Sequence, residues 1–190
     1  MEAGRDKNVA PTEQPTDERL IQSTLAGDDE AFAELVRRYK RKIFAMAVRF
    51  ARNDHELDDI AQEVFVKTYQ NLAKFRGDAP FEHWISRIGA RACYDFLRRE
   101  RRSRENVTLE GVEVPVEDNV APARAKEILD HALAQLPAEQ RLVITLLELE
   151  EKSVREIAGL TGWSESNVKV RAFRAREALK KVLKSSEFKL

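Results

Sequence analysis

The stretch KFRGDAPFEHW, Lys74 to Trp84, gathers Phe75, Phe81 and Trp84 beside Arg76, around a Gly and a Pro. Arginines then recur at Arg87, Arg91, Arg98 and Arg99 and continue to Arg104. Guanidinium groups neutralise phosphate, and aromatic rings stack on bases of any identity, so the pairing suits capture of single-stranded nucleic acid. Stacking contributes roughly 1–3 kcal/mol per base, comparable to the few kcal/mol needed to extrude one base from a duplex. Trp84 is in helical register with Ile88 and reads as core at its inner edge, while Phe81 suits a hydrophobic staple. Phe75 and Arg76 are the pair expected to face outward.

A second constellation lies in SVREIAGLTGWSESNVKVRAFRAREALKKVL, from Ser153. Ala158, Gly162 and Val168 stand at offsets of four and ten. Those are the places where a helix-turn-helix needs a small residue between its helices, a residue tolerant of positive φ, and an apolar residue facing back. Ser164 can cap the second helix and Glu165 favours its positive end. The second helix carries cations on its outward side. A recognition helix enters the major groove by its N-terminal part, so Ser166, Asn167, Lys169, Val170 and Arg171 are candidates for base edges. Arg174 and Arg176 are placed for phosphates, which position the helix without reading sequence.

Helices must carry both constellations. Gly (7) and Pro (6) are scarce in the 190 residues and fall at boundaries, as in an all-α chain. Residues 1–16 read as a disordered leader. Asp17 is placed to cap a first helix with Leu20, Ile21 and Leu25 on one face, which Gly27 and Asp28 end. A second helix, Glu30 to Arg52, has its apolar stripe at Phe32, Leu35, Tyr39, Ile43, Met46 and Phe50, spaced by three and four. Asn53 or Asp54 opens a third, which buries Ile60, Ala61 and Val64 and turns Asp59, Gln62 and Glu63 outward. A fourth runs from Phe81 into the arginines. Residues 105–123 change character: they hold Glu105, Glu110, Glu113, Glu117 and Asp118 and no basic residue, which marks an acidic, flexible, extended linker. Helices resume near Ala125. The expected organisation is therefore two helical domains, 17–104 and 124–190, the second a helix-turn-helix.

Charge balances, with 33 basic and 33 acidic residues, so nucleic-acid binding must come from segregated charge rather than a uniform basic coat. Cys93 is the one cysteine, so no intramolecular disulfide forms, and it reads as a small buried residue. No apolar run approaches the roughly 18 residues of a membrane span, and no direct membrane insertion is expected. The N-terminus lacks the apolar core of a signal peptide. A cytoplasmic setting follows. His55, His83 and His131 are scattered, with no metal-binding spacing and no glycine-rich phosphate loop. No catalytic residue, cofactor or metal is expected, and a protein-docking surface explains Asp58, Asp59 and Glu63 more simply than a metal site.

Taken together, ELDDIAQEVFVKTYQNLAKFRGDAPFEHWISRIGARACYDFLRRERR and, after the linker, LAQLPAEQRLVITLLELEEKSVREIAGLTGWSESNVKVRAFRAREALKKVL resemble bacterial sigma factors of the extracytoplasmic-function group, over roughly Asp17 to Leu183. The resemblance implies a subunit that brings core RNA polymerase to promoter DNA for transcription initiation. It implies that Asp58, Asp59, Gln62 and Glu63 dock on the polymerase clamp. It also implies that Phe75, Arg76, Arg87, Arg91, Arg98 and Arg99 act on an opened −10 element, that the helix-turn-helix reads the −35 element, and that the linker threads toward the RNA exit path. An anti-sigma factor is an implied further partner. Two departures stand out. Arg91 replaces an Asn common in the group, and SESNVKV differs from the group's usual pattern at Ser166, Asn167 and Val170. The −35 preference therefore does not carry over. A free-standing helix-turn-helix regulator is the alternative, and it leaves the aromatic loop and the acidic linker without a role.

Overall fold

In the computed structural model, residues 15–106 and 121–187 are described. The expected leader up to residue 14 and most of the expected linker lie outside them. Thr16, rather than Asp17, opens α1 (Asp17–Leu25): its side chain accepts from the Arg19 amide. Asp17 is drawn instead to Arg38 and Tyr39 of the next helix. Leu20 and Ile21 are buried as expected, but Leu25 is exposed and Thr24 takes the inward place, its hydroxyl donating to the Leu20 carbonyl at 2.8 Å. The self-satisfied hydroxyl is what lets a polar residue sit there.

Asp28 caps α2 (Asp29–Ala47) by accepting from the amides of Glu30 and Ala31. The helix stops five residues short of the expected Arg52. A tight bond from the Phe50 amide to the Ala47 carbonyl, 2.9 Å, swings the fully buried Phe50 into the core. Asn53 caps α3 (Asp54–Asn71). After a short tight turn and Gly77, Pro80 offers its carbonyl to the amides of His83 and Trp84, starting α4 (Phe81–Asn106). These four helices close around Leu20, Leu35, Ile43, Val64, Phe81 and Ile85.

The second half contains α5 (Ala121–Ala134), α6 (Ala138–Ile144) with a wide π turn over Thr145–Leu149, α7 (Val154–Thr161) and α8 (Glu165–Glu187). The helical ends at Asn106 and Ala121 shorten the expected linker at both sides.

The halves are not separate bodies. Phe50, Ile60, Cys93 and Leu97 share one core with Leu142, Val143, Leu146, Ile157 and Val168. Each such side chain contributes about 1.5–3 kcal/mol on burial, so this seam is a major source of cohesion. Polar ties fasten it. The Glu100 carboxylate of α4 meets Arg141 of α6 at 2.8 Å, with side chains 6% and 9% exposed, and Arg52 approaches the same carboxylate at 3.4 Å. Arg49 reaches Glu150 at 2.8 Å. Tyr94 donates to Glu139 at 2.9 Å. Periodicity placed Phe50 and Ile60 on buried stripes, but nothing in the sequence gave a reason to join them to the second half.

Candidate nucleic-acid and protein-docking interfaces

The helix-turn-helix is built as its spacing predicts. Ser153 and Glu156 form a reciprocal capping box that starts α7. Gly162 ends it with φ of 76°, a left-handed conformation that side chains disfavour. Ser164 then accepts from the Asn167 amide to start α8. Val168, Ala172 and Ala175 face inward. That rotation leaves Ser166, Lys169, Val170 and Arg174 exposed on the outer side.

Two candidates are otherwise engaged. Arg171 lies over the Trp163 ring at 4.2 Å. Trp163 in turn meets Tyr94 of α4 edge-on at 5.9 Å. Arg176 is paired with Glu148 at 2.6 Å.

On α4, Arg87, Arg91, Tyr94 and Arg98 fall in one stripe, and all three arginines are exposed. Arg91 and Arg98 flank the Tyr94 ring at 5.4 and 5.7 Å. Tyr94 therefore stands where the basic stripe meets the second half of the chain. A cleft of about 530 Å³ between α3, α4 and α7 is lined by Lys67, Trp84, Arg87, Arg91 and Thr161.

The aromatic loop departs from expectation. Phe81 is core. Phe75 is only half-exposed, packed edge-on to Phe81 at 5.4 Å and tilted on Trp84 at 5.5 Å. Arg76 is exposed. The rings pack on one another, so Phe75 is held partly buried against Phe81 and Trp84 rather than standing free.

On α3, Asp58, Asp59 and Gln62 are exposed, with Asp59 beside His55 at 3.0 Å. Glu63 differs from them. It bridges Lys67 and Arg99, both at 2.6 Å, and ties α3 to α4. Partial burial alone would raise its pKa, but the bonds from Arg99 and Lys67 outweigh that and hold its carboxyl below the usual range.

Sequence reasoning missed Glu100, Arg141 and Phe173. A lone Arg inside the apolar run QRLVITLL was a signal for a buried partner. Phe173 could have been found by rotating α8 in steps of about 100° from Val168.

The fold is a four-helix unit carrying a basic stripe, merged with a helix-turn-helix whose second helix is exposed. Such an arrangement is that of a DNA-binding protein. Residues 35–103 match the family described as Sigma-70 region 2, and residues 126–179 match Sigma-70 region 4. The chain is 35% identical over 183 residues to the RNA polymerase sigma-H factor of Pseudomonas aeruginosa, covering 90% of this chain and 95% of that one. It is 33% identical over 168 residues to the ECF RNA polymerase sigma factor SigM of Mycobacterium tuberculosis (88% and 85% covered). It is 30% identical over 181 residues to the ECF RNA polymerase sigma-E factor of Escherichia coli (88% and 94% covered). Among solved structures it is similar to CnrH in complex with the cytosolic domain of CnrY, with a TM-score of 0.58 at 27% identity, covering 89% of this chain and 97% of that one. Its fold also matches the sigma factor RpoE of Bartonella quintana, solved with the anti-sigma factor NepR, with a TM-score of 0.54 at 23% identity and 80% and 96% covered. The chain belongs to the sigma-70 family, among the extracytoplasmic-function sigma factors, and its function is to direct RNA polymerase to promoters.

Proposed function

We propose that α8 reads the −35 element through Ser166, Asn167, Lys169 and Val170, with Arg174 on phosphate, and that Arg171 joins them after leaving Trp163. The observation that carries this is the capped, outward α8 after the left-handed Gly162, with Lys169 and Arg174 making no ion pair among the described residues. On the first half, Arg76, Arg87, Arg91 and Arg98 hold the opened −10 strand and the Phe75 edge abuts a base. Arg99 serves mainly to fix α3 against α4. Asp58, Asp59 and Gln62 dock on core polymerase, with Glu63 holding the helix that presents them.

The protein works by binding rather than by covalent chemistry, in the cytoplasm where polymerase acts. No helix among the described residues is long and apolar enough to cross a membrane. A protein inhibitor completes the set of partners, a reading supported by the similarity to CnrH, solved with CnrY bound.

Gel filtration with core polymerase and footprinting on a selected promoter test these assignments. Asp59→Arg with Gln62→Arg is expected to abolish co-elution while leaving helicity intact. Lys169→Ala is expected to weaken −35 protection without changing co-elution. Normal co-elution of the first variant would remove α3 as the docking face. Unchanged −35 protection by the second would remove Lys169 from the −35 contacts.

A further inference from the structure

The outward face of α8 is not uniformly polar. Val170 is 47% exposed and Phe173 65% exposed, the latter the most exposed large hydrophobic side chain among the described residues. They stand three residues apart on the side opposite Val168, Ala172 and Ala175. Phe173 has no aromatic or cationic partner among the described residues. Lone apolar side chains on surfaces are ordinary. This pair differs because the two share one face, on the helix that the fold turns outward, and Lys169 and Arg174 flank them. A cationic frame suits a polyanion and opposes a greasy protein patch.

The major groove offers apolar contact chiefly through the thymine C5-methyl group. A hydroxyl at position 170 would hydrogen-bond bases of several kinds, whereas Val170 can do nothing but pack. Three residues of helix advance about 4.5 Å, close to the roughly 3.4 Å between neighbouring base pairs. We propose that Val170 and Phe173 form an apolar reader of thymine methyls, so that methyl contact selects A·T pairs at one or two adjacent positions of the −35 element.

This inference rests on α8 entering the groove. Holoenzyme reconstituted from this full chain and core polymerase would first select its −35 element from a randomised duplex. Each thymine in the selected element would then be replaced by deoxyuridine, which removes the methyl and nothing else, and affinity would be measured by fluorescence anisotropy. The wild type is expected to lose about fourfold per contacted methyl, from about 0.8 kcal/mol per buried methylene-sized group. In Val170→Ser with Phe173→Ala that penalty is expected to vanish, so that thymine and deoxyuridine duplexes bind the variant alike; a penalty that persists in the variant would overturn the methyl reader. Both side chains are exposed, so the variant is expected to fold. Selective binding that ignores every thymine methyl would overturn the methyl reader and leave −35 reading by α8 standing. Failure to select any −35 sequence would overturn both. If the double variant instead loses assembly with core polymerase, the apolar pair docks on protein and the methyl reader is wrong.

Discussion

Glu63 is a carboxylate with two claims on it. The family resemblance implies a docking role for it, while Lys67 and Arg99 draw it into the joint between α3 and α4. Because its folded-state pKa is lowered, its stabilisation is complete above the ordinary pKa of about 4.5 and is lost as pH falls from there through the lower folded-state value. Glu63→Gln is expected to flatten the acid limb of the stability profile below about pH 4.5 and to cost under about 1 kcal/mol at neutral pH, since its partners are half-exposed. Urea unfolding across a pH series measures this; an acid limb unchanged from wild type would mean the bridge contributes nothing. Charge reversal at Glu63 would confound docking with folding, so Asp59 and Gln62 are the better probes. Helical spacing turned Asp59, Gln62 and Lys169 outward, and all three are exposed; the docking role of the first two came only from the family resemblance. The engagement of Glu63, Arg171 and Arg176 was not, because each depends on a neighbour brought close only by folding.

At the scale of the element, the helix-turn-helix is where local chemistry specified structure most completely. The capping box at Ser153, the left-handed Gly162 and the cap at Ser164 are all determined within a few residues, so a short window of sequence contains them. Nothing lies within 4 Å of a Cβ built at Gly162, so its requirement is one of backbone conformation and not of space. Gly162→Val is therefore expected to destabilise the unit by about 1–3 kcal/mol, while Gly162→Asn costs less because Asn tolerates this conformation. Thermal unfolding of the two variants compares them, and equal losses would contradict the conformational explanation. The aromatic loop was less legible. Its composition predicts contact with bases, but Phe75, Phe81 and Trp84 satisfy one another first. Arg76→Ala is accordingly the cleaner test of promoter opening. It is expected to slow the appearance of permanganate-reactive thymines without lowering the melting temperature of the protein, whereas opening at the wild-type rate would remove Arg76 from the −10 contacts.

The whole molecule poses a problem of reach. Elements at −10 and −35 lie about 25 base pairs apart, or roughly 85 Å of duplex at about 3.4 Å per pair. A compact chain of this length is about 40 Å across. With α4 packed on α6 and α7, one molecule cannot contact both elements, so the seam must part on the promoter. The 14 residues between Asn106 and Ala121 can span at most about 50 Å when fully extended, enough to allow separation. The buried Glu100–Arg141 pair holds the seam in register more than it adds stability, yet removing one partner costs about 3–5 kcal/mol. Arg141→Ala is expected to raise the radius of gyration in solution scattering with helicity retained, and Arg141→Met with Glu100→Gln to restore the compact value; an unchanged radius in Arg141→Ala would show that the pair does not hold the halves together. No local pattern could reveal this seam, since its two faces are distant in sequence and each looks like an ordinary core stripe. The most direct test of the sigma-factor function is run-off transcription by purified core polymerase, with and without this protein, on a library of candidate promoters. Transcripts that require the protein and start at a fixed distance from a shared pair of upstream elements are predicted. Tight duplex binding by the protein alone, with no binding to core and no dependent transcript, would contradict that function and favour a free-standing regulator.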